Sequence, residues 1–93
     1  MFLEIVTPEA SVVTAEISSV TVPGVEGSFQ ILKNHASILS LLEKGKVSFE
    51  GTPTITTGFE NRFIQDKNGK WSVEIQGGTV EANNNNKIII LAD

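Results

Sequence analysis

His35 is the first candidate for a catalytic or metal-binding role, because it is the only histidine in a chain that has no cysteine. A nucleophilic triad requires a hydroxyl or thiol, a base and an orienting acid, and only His35 could be the usual base. The sequence has no G-x-S-x-G elbow to hold a serine. One histidine and no thiolate also exclude multi-histidine and thiolate metal sites. We therefore predict no catalytic residue and no metal site, and expect His35 to be a polar turn residue or a structural hydrogen-bond donor.

The glycines and carboxylates suggest two further kinds of site, and neither pattern is complete. A phosphate-binding loop needs G-x-x-x-x-G-K followed by Ser or Thr, whereas Gly45 and Lys46 are followed by Val47. Gly24 and Gly27 are better explained as turn residues at one end of the domain. The nine glutamates are dispersed, so no acid and base pair of the glycosidase kind is predicted. No cofactor is expected.

Composition and charge restrict the classes of partner. Seven Lys and Arg against eleven Asp and Glu give a net charge of -4 and a pI near 4.9, the wrong sign for holding a phosphate backbone. No nucleic-acid partner is therefore expected. The longest apolar runs, at 38–42 and 88–92, are far short of the roughly 20 residues of a membrane span. Residues 1–4 lack the pattern of a signal peptide, so we expect no independent entry into a membrane.

Hydrophobic alternation indicates β-strands. Val13, Ala15 and Ile17 alternate with polar residues, and the apolar phase then shifts to Val20 and Val22, which predicts a bulge near 18–19. A second alternating segment follows an Asn-Gly pair, so residues 61–67 and 70–76 are predicted to form an antiparallel hairpin. The segment 38–42 is predicted as a short buried strand, although one or two helical turns around His35 are also compatible with the pattern.

Turn signals divide the chain into about eight to ten short segments, a spacing typical of a sandwich or a barrel. They include Gly51-Thr52-Pro53, Gly77-Gly78 and the asparagine run 83–86, for which we predict a hairpin loop that tolerates positive φ. A chain of 93 residues has room for one core only. The sequence thus predicts a single all-β domain over residues 1–93.

Three segments carry a family resemblance. The stretch 20–39, VTVPGVEGSFQILKNHASIL, resembles the signature region of the epsilon subunit of F-type ATP synthases. The opening LEIVTPE at 3–9 is similar to the first strand and turn of that subunit, and residues 77–93 are similar to its last two strands. Residues 50–70 match no signature and are expected to be a variable insertion.

The resemblance implies a flattened antiparallel β-sandwich of about ten short strands. It also implies a non-catalytic rotor subunit of the central stalk that binds the gamma subunit and rests on the c-subunit ring. Such a subunit lies at the cytoplasmic face of the bacterial plasma membrane and contacts the membrane only through the complex. The matching loops of the family face the c ring and gamma, so Glu26, Ser28, Asn34 and His35 are assigned interface roles by resemblance.

The chain departs from the family pattern in three places. Ser28 often corresponds to an acidic residue, and its hydroxyl cannot form the charge-assisted contact that a carboxylate forms with a basic loop. Lys33 and Ser37 replace prolines that are common there. Many members continue after a Leu-Ala-Asp element into a helical hairpin that can inhibit ATP hydrolysis and in some cases binds ATP, whereas this sequence stops at Asp93.

Two other functions are compatible with the residues alone. A small β-barrel enzyme or ligand carrier would use Trp71 and the phenylalanines to line a pocket instead of a core. An adaptor would bind an extended peptide along an open strand edge.

Overall fold

The computed structural model describes all 93 residues, which form nine β-strands and one three-residue 3-10 helix. The strands are β1 (Phe2–Val6), β2 (Ser11–Gly24), β3 (Gly27–Leu32), β4 (Ile38–Leu42), β5 (Gly45–Ile55), β6 (Phe63–Gln65), β7 (Trp71–Ile75), β8 (Gly78–Ala82) and β9 (Lys87–Ala92). The 3-10 helix covers Glu60–Arg62, and no helix here has the length and apolar character to cross a membrane. The all-β prediction is confirmed, and the strand predicted at 38–42 is present as β4.

The strands lie in two layers around one core. In hydrogen-bonding order, β4, β8, β9, β1 and the first half of β2 form one layer, which we call layer A. The second half of β2, together with β3, β5, β7 and β6, forms layer B. Twenty buried apolar residues make a single cluster to which all nine strands contribute, so each layer turns one face inward. The Cα extents are 32 × 24 × 22 Å, which makes the domain more elongated than flattened.

A bulge lies where sequence analysis predicted it. On β2, Ile17 pairs with Gly51 and Ser19 pairs with Glu50, so Ser18 is the extra residue between two consecutive partners on β5. A bulge bends its strand and changes which side chains face the core. β2 can therefore pass from layer A to layer B without a break in the chain.

The segment Gly51-Thr52-Pro53 is not a turn, and that prediction is wrong. It lies inside β5 and pairs with β2 through Ile17, Glu16 and Ala15. A Cβ atom on Gly51 would collide with the Glu16 carbonyl oxygen, so the glycine permits close approach of two strands. Because β7 pairs only with residues 45–49 of β5, the proline lies on a free strand edge, where its missing N–H is tolerated.

The strand pairing differs from the expected pattern in one respect. β1 and β9 pair in parallel, from Phe2 with Lys87 to Val6 with Leu91, whereas all other pairs are antiparallel. β2 and β5 are also long, with 14 and 11 residues, so nine strands replace the ten short ones. The parallel pair joins the first and last strands of the chain within layer A.

Both predicted hairpins are confirmed. β6 and β7 pair antiparallel, and the Asp66 carboxylate accepts hydrogen bonds from the N–H groups of Asn68 at 2.8 Å and Lys70 at 2.9 Å in the connecting loop. The asparagine run connects β8 to β9, where the Asn83 side chain accepts a hydrogen bond from Asn85 N–H at 2.9 Å. Asn86 has a φ of 61°, the left-handed geometry expected of this loop.

Candidate interaction surface

Glu26 and Ser28 lie at the end of the domain where β2 turns into β3. Val25 and Glu26 form the turn between the paired residues Gly24 and Gly27, and Gly27 has a φ of 121°, a geometry that favours glycine. Both side chains are exposed, and neither makes a hydrogen bond or an ion pair within the chain. The Glu26 carboxylate is therefore free to contact another molecule.

Asn34 and His35 lie at the opposite end of β3. Asn34 has a φ of 66°, and its N–H donates to the Asn86 side-chain oxygen at 2.8 Å, which joins this loop to the β8–β9 loop. The His35 Nδ1 lies 2.7 Å from the Ala36 carbonyl oxygen, which can only accept, so Nδ1 carries the proton. The Nε2 atom is enclosed and has no hydrogen-bond partner. His35 thus follows the turn at 33–34 and makes a structural hydrogen bond, in agreement with the predicted role as a hydrogen-bond donor.

In the structure, the four predicted interface residues lie in two separate pairs. The six-residue strand β3 separates the pair at 26 and 28 from the pair at 34 and 35, which corresponds to roughly 20 Å along the strand. One small contact cannot include both pairs. Two partners, or one partner with a broad surface, are needed to use all four residues.

A third surface was missed by sequence reasoning. Leu39 and Leu41 on β4 are 76% and 62% exposed, and their side chains lie on the outer face of layer A. Leu41 pairs with Thr79 on β8, and Thr79 pairs with Leu91 on β9. The Leu91 side chain is 53% exposed. We call Leu39, Leu41 and Leu91 the β4 patch. The Val25 N–H donates to the Leu41 carbonyl oxygen at 3.2 Å, so the patch adjoins the turn that carries Glu26.

The sequence did contain a signal for the β4 patch. A strand with one face in water has polar residues at alternate positions, whereas Ile38, Leu39, Leu41 and Leu42 are apolar on both faces of β4. Such a strand is expected where both faces are covered. In the isolated chain the inner face is covered by the core and the outer face is not.

The cavities do not match the ligand-carrier alternative. A cleft of about 250 Å³ at one end of the sandwich is lined by apolar side chains together with Arg62, Glu74 and Asp93. Trp71 is half-buried and packs against the core, and neither it nor any phenylalanine lines one of the five clefts. No three His, Asp or Glu side chains form a group able to hold a metal ion.

Comparison with known proteins identifies the family. Residues 1–59 match the sequence model of the family described as ATP synthase, Delta/Epsilon chain, beta-sandwich domain. The ATP synthase epsilon chain of Chlorobium limicola is 35% identical over 91 residues, which cover 98% of this chain and 88% of that relative. This chain belongs to the ATP synthase delta/epsilon family. The resemblance found in the sequence and the β-sandwich fold are both confirmed.

Other members of the delta/epsilon family extend beyond the part that this chain matches. The epsilon chain of Campylobacter curvus is 36% identical over all 93 residues, which span 60% of that relative's length. The family model reaches residue 59, so the expectation of a variable insertion over 50–70 is wrong for its first ten residues.

Two solved structures share the fold of this family member. A chain of the mitochondrial ATP synthase of Euglena gracilis, in a structure of OSCP, F1 and the c-ring, aligns with a TM-score of 0.72 at 18% identity. That alignment covers 97% of this chain and 48% of the other. A chain of the central stalk and c-ring structure of Tetrahymena thermophila ATP synthase gives a TM-score of 0.61 at 18% identity, over 99% of this chain and 62% of the other.

Proposed function

We propose that this chain is a rotor subunit in the central stalk of a proton-translocating F-type ATP synthase, and that residues 1–93 form its single β-sandwich domain. The observation that carries the proposal is the β4 patch, an uncovered apolar surface on a member of the delta/epsilon family. An exposed apolar surface of this kind marks a contact with another protein. Catalysis would take place in other subunits, and this chain would couple ion flow to it mechanically.

Two partners fit the three surface features. The gamma subunit would cover the β4 patch, and with it the loop of Asn34 and His35. The c-subunit ring would contact the opposite end of β3, where Glu26 can form a charge-assisted contact with a basic loop and Ser28 can form a neutral one. The c ring would then be the only link to the membrane, at the cytoplasmic face of the bacterial plasma membrane.

The interior of the domain suits a part that transmits torque. Eleven large apolar side chains have less than 2% of their surface exposed, and they come from both layers. Close-packed interiors have low compressibility and transmit strain. A rotor element built in this way would pass a displacement from gamma to the c ring with little internal deformation.

The proposed interface can be tested by titration calorimetry with the gamma subunit and the c ring of the same organism. We expect His35→Ala to weaken gamma binding and Glu26→Lys to weaken c-ring binding, because one loses an interface side chain and the other reverses an exposed charge. Glu50→Lys is the matched control, since it makes the same charge change at an exposed site on β5. Failure of the wild-type chain to bind either partner would refute the rotor assignment. Equal effects of Glu26→Lys and Glu50→Lys would remove Glu26 from the interface.

A further inference from the structure

The asparagines of the chain all lie outside the nine strands, at 34, 61, 68 and 83–86. An asparagine can lose its amide when the backbone nitrogen of the next residue attacks the side-chain carbonyl carbon. The reaction needs a carboxamide that is free of hydrogen bonds, a neighbouring nitrogen that is not shielded by a side chain, and a backbone that can move. The surroundings of the asparagines differ in all three respects.

Asn68 meets all three requirements. It lies in the loop of residues 66–70 that connects β6 to β7, and its exposed side chain makes no hydrogen bond within the chain. The next residue is Gly69, which has no Cβ to shield its backbone nitrogen. Residues 64–69 are all exposed, so no packed side chain holds the tip of this hairpin.

One hydrogen bond restrains the attacking nitrogen. The Gly69 N–H donates to the Asp66 carbonyl oxygen at 3.0 Å. The Asp66 carboxylate accepts from the N–H groups of Asn68 and Lys70, and these bonds leave the Asn68 side chain free. Opening one exposed hydrogen bond slows a reaction about fivefold, and loop tips open without the rest of the fold. The domain therefore does not have to unfold before Asn68 can react.

The other asparagines are restrained more strongly. The Asn83 carboxamide oxygen accepts from the N–H groups of Asn85 at 2.9 Å and Lys87 at 3.2 Å. The Asn86 carboxamide oxygen accepts from Asn34 N–H at 2.8 Å. Each of these side chains must leave a backbone donor without its partner before it can react. Every asparagine outside the β6–β7 loop also precedes a residue with a Cβ, which shields the attacking nitrogen.

We propose that Asn68 is a deamidation site of the folded domain. The Gly69 backbone nitrogen forms a bond to Asn68 Cγ, and the bond between Cγ and the side-chain nitrogen breaks. The side-chain nitrogen leaves as ammonia and takes the proton of the Gly69 N–H with it. Water then opens the resulting succinimide ring at either carbonyl. One product is aspartate, and the other is isoaspartate, in which the main chain runs through the former side chain.

The two products affect the hairpin differently. Isoaspartate adds a methylene group to the main chain between Asp66 and Lys70, which are joined by a hydrogen bond from Asp66 N–H to the Lys70 carbonyl oxygen at 2.9 Å. That connection supports the pairing of β6 with β7, which includes the buried residues Phe63 and Val73. Aspartate keeps the length of the main chain and adds only a negative charge between Lys67 and Lys70. Only isoaspartate should therefore destabilise the domain.

Mass spectrometry of the folded chain during incubation at mildly alkaline pH tests the site. A glutamate-specific protease releases the fragment 61–74, whose two asparagines are separated in fragmentation spectra. We expect Asn68 to convert first and Asn83 and Asn86 to convert on the order of tenfold more slowly. Asn68→Gln keeps the amide on a longer side chain and should leave the fragment unchanged. No conversion at Asn68, or faster conversion at another asparagine, would overturn the proposal.

The same measurement in urea tests whether the folded loop itself reacts. Asn68 in the folded chain should convert on the order of fivefold more slowly than in the unfolded chain, the effect of one hydrogen bond. A rate more than about a thousandfold lower would mean that the whole domain must unfold first, and would overturn a site in the folded domain. Both rates are measured on the chain alone, so they are independent of gamma and c-ring binding.

Melting of the two products tests the effect on the hairpin. Asn68→Asp reproduces the aspartate product and should melt close to the wild type. The isoaspartate chain, separated from it by chromatography, should melt several degrees lower. Equal melting temperatures of the two products would overturn the role of loop length in holding β6 against β7.

Discussion

Replacing Leu39 and Leu41 together by serine would remove most of the β4 patch without touching the core. The two side chains are 76% and 62% exposed, so most of their apolar surface is still available for burial by a partner. Full burial of a leucine side chain contributes about 1.5–3 kcal/mol, and the exposed fractions leave about 1–2 kcal/mol for each residue. The double variant should therefore lose about 2–4 kcal/mol of binding free energy, and its dissociation constant for gamma should rise roughly 30- to 1,000-fold.

Titration calorimetry with purified gamma gives this constant directly. Ile64→Ser is the matched control, because Ile64 is 69% exposed but lies on β6 in layer B, away from the patch. The control should bind gamma like the wild type. Urea denaturation should show that all these variants keep their stability within about 0.5 kcal/mol, since none of the replaced side chains is buried.

Two results would refute the assignment of the β4 patch to gamma. One is an unchanged dissociation constant in the double variant, since the loss of two exposed leucines cannot be neutral at a site that buries them. The other is an equal loss in Ile64→Ser, which would mean that any exposed apolar residue contributes non-specifically.

Three further predictions concern stability. Phe49 is fully buried, so Phe49→Ala should cost about 3–5 kcal/mol in urea denaturation, and a loss under 1 kcal/mol would contradict its central place in the core. Gly78 has a φ of 142° and an added Cβ would collide with the Leu91 carbonyl oxygen, so Gly78→Ala should lower the melting temperature more than Gly58→Ala, where a Cβ meets nothing. Backbone N–H groups of Glu60 itself and of Gly58 lower the pKa of the Glu60 carboxyl, so its NMR titration midpoint should lie below the ordinary glutamate value. The stability gained there is present above the unfolded-state pKa and is lost as the pH falls through the folded one, and Glu60→Gln should remove this pH dependence.

Local chemistry accounts for the elements that sequence analysis predicted correctly. The bulge at Ser18 follows from a shift in hydrophobic alternation, and the loop after Asp66 follows from an Asn-Gly pair, both of which are decided by a few adjacent residues. The positive φ of Asn86 is also decided locally, since asparagine tolerates the left-handed region.

Pairing between distant segments accounts for the errors. The Gly-Thr-Pro sequence at 51–53 is a turn signal locally, yet a glycine is required there because β2 passes so close to β5. The parallel pairing of β1 with β9 joins the two ends of the chain, and no periodic pattern of residues in the sequence indicates it. The β4 patch was overlooked because apolar residues on both faces of 38–42 were attributed to burial, when the outer face of the isolated domain is open.

The passage of β2 through both layers gives the domain a mechanical property. A pull directed along this strand would load its hydrogen bonds to β1, β3 and β5 in shear, so that many must break together. Peeling one layer from the other would open those bonds one at a time, but the continuous covalent chain of β2 prevents a clean separation. The domain should therefore resist force far better along the axis of β2 than across it, and single-molecule pulling from two attachment geometries would reveal that anisotropy.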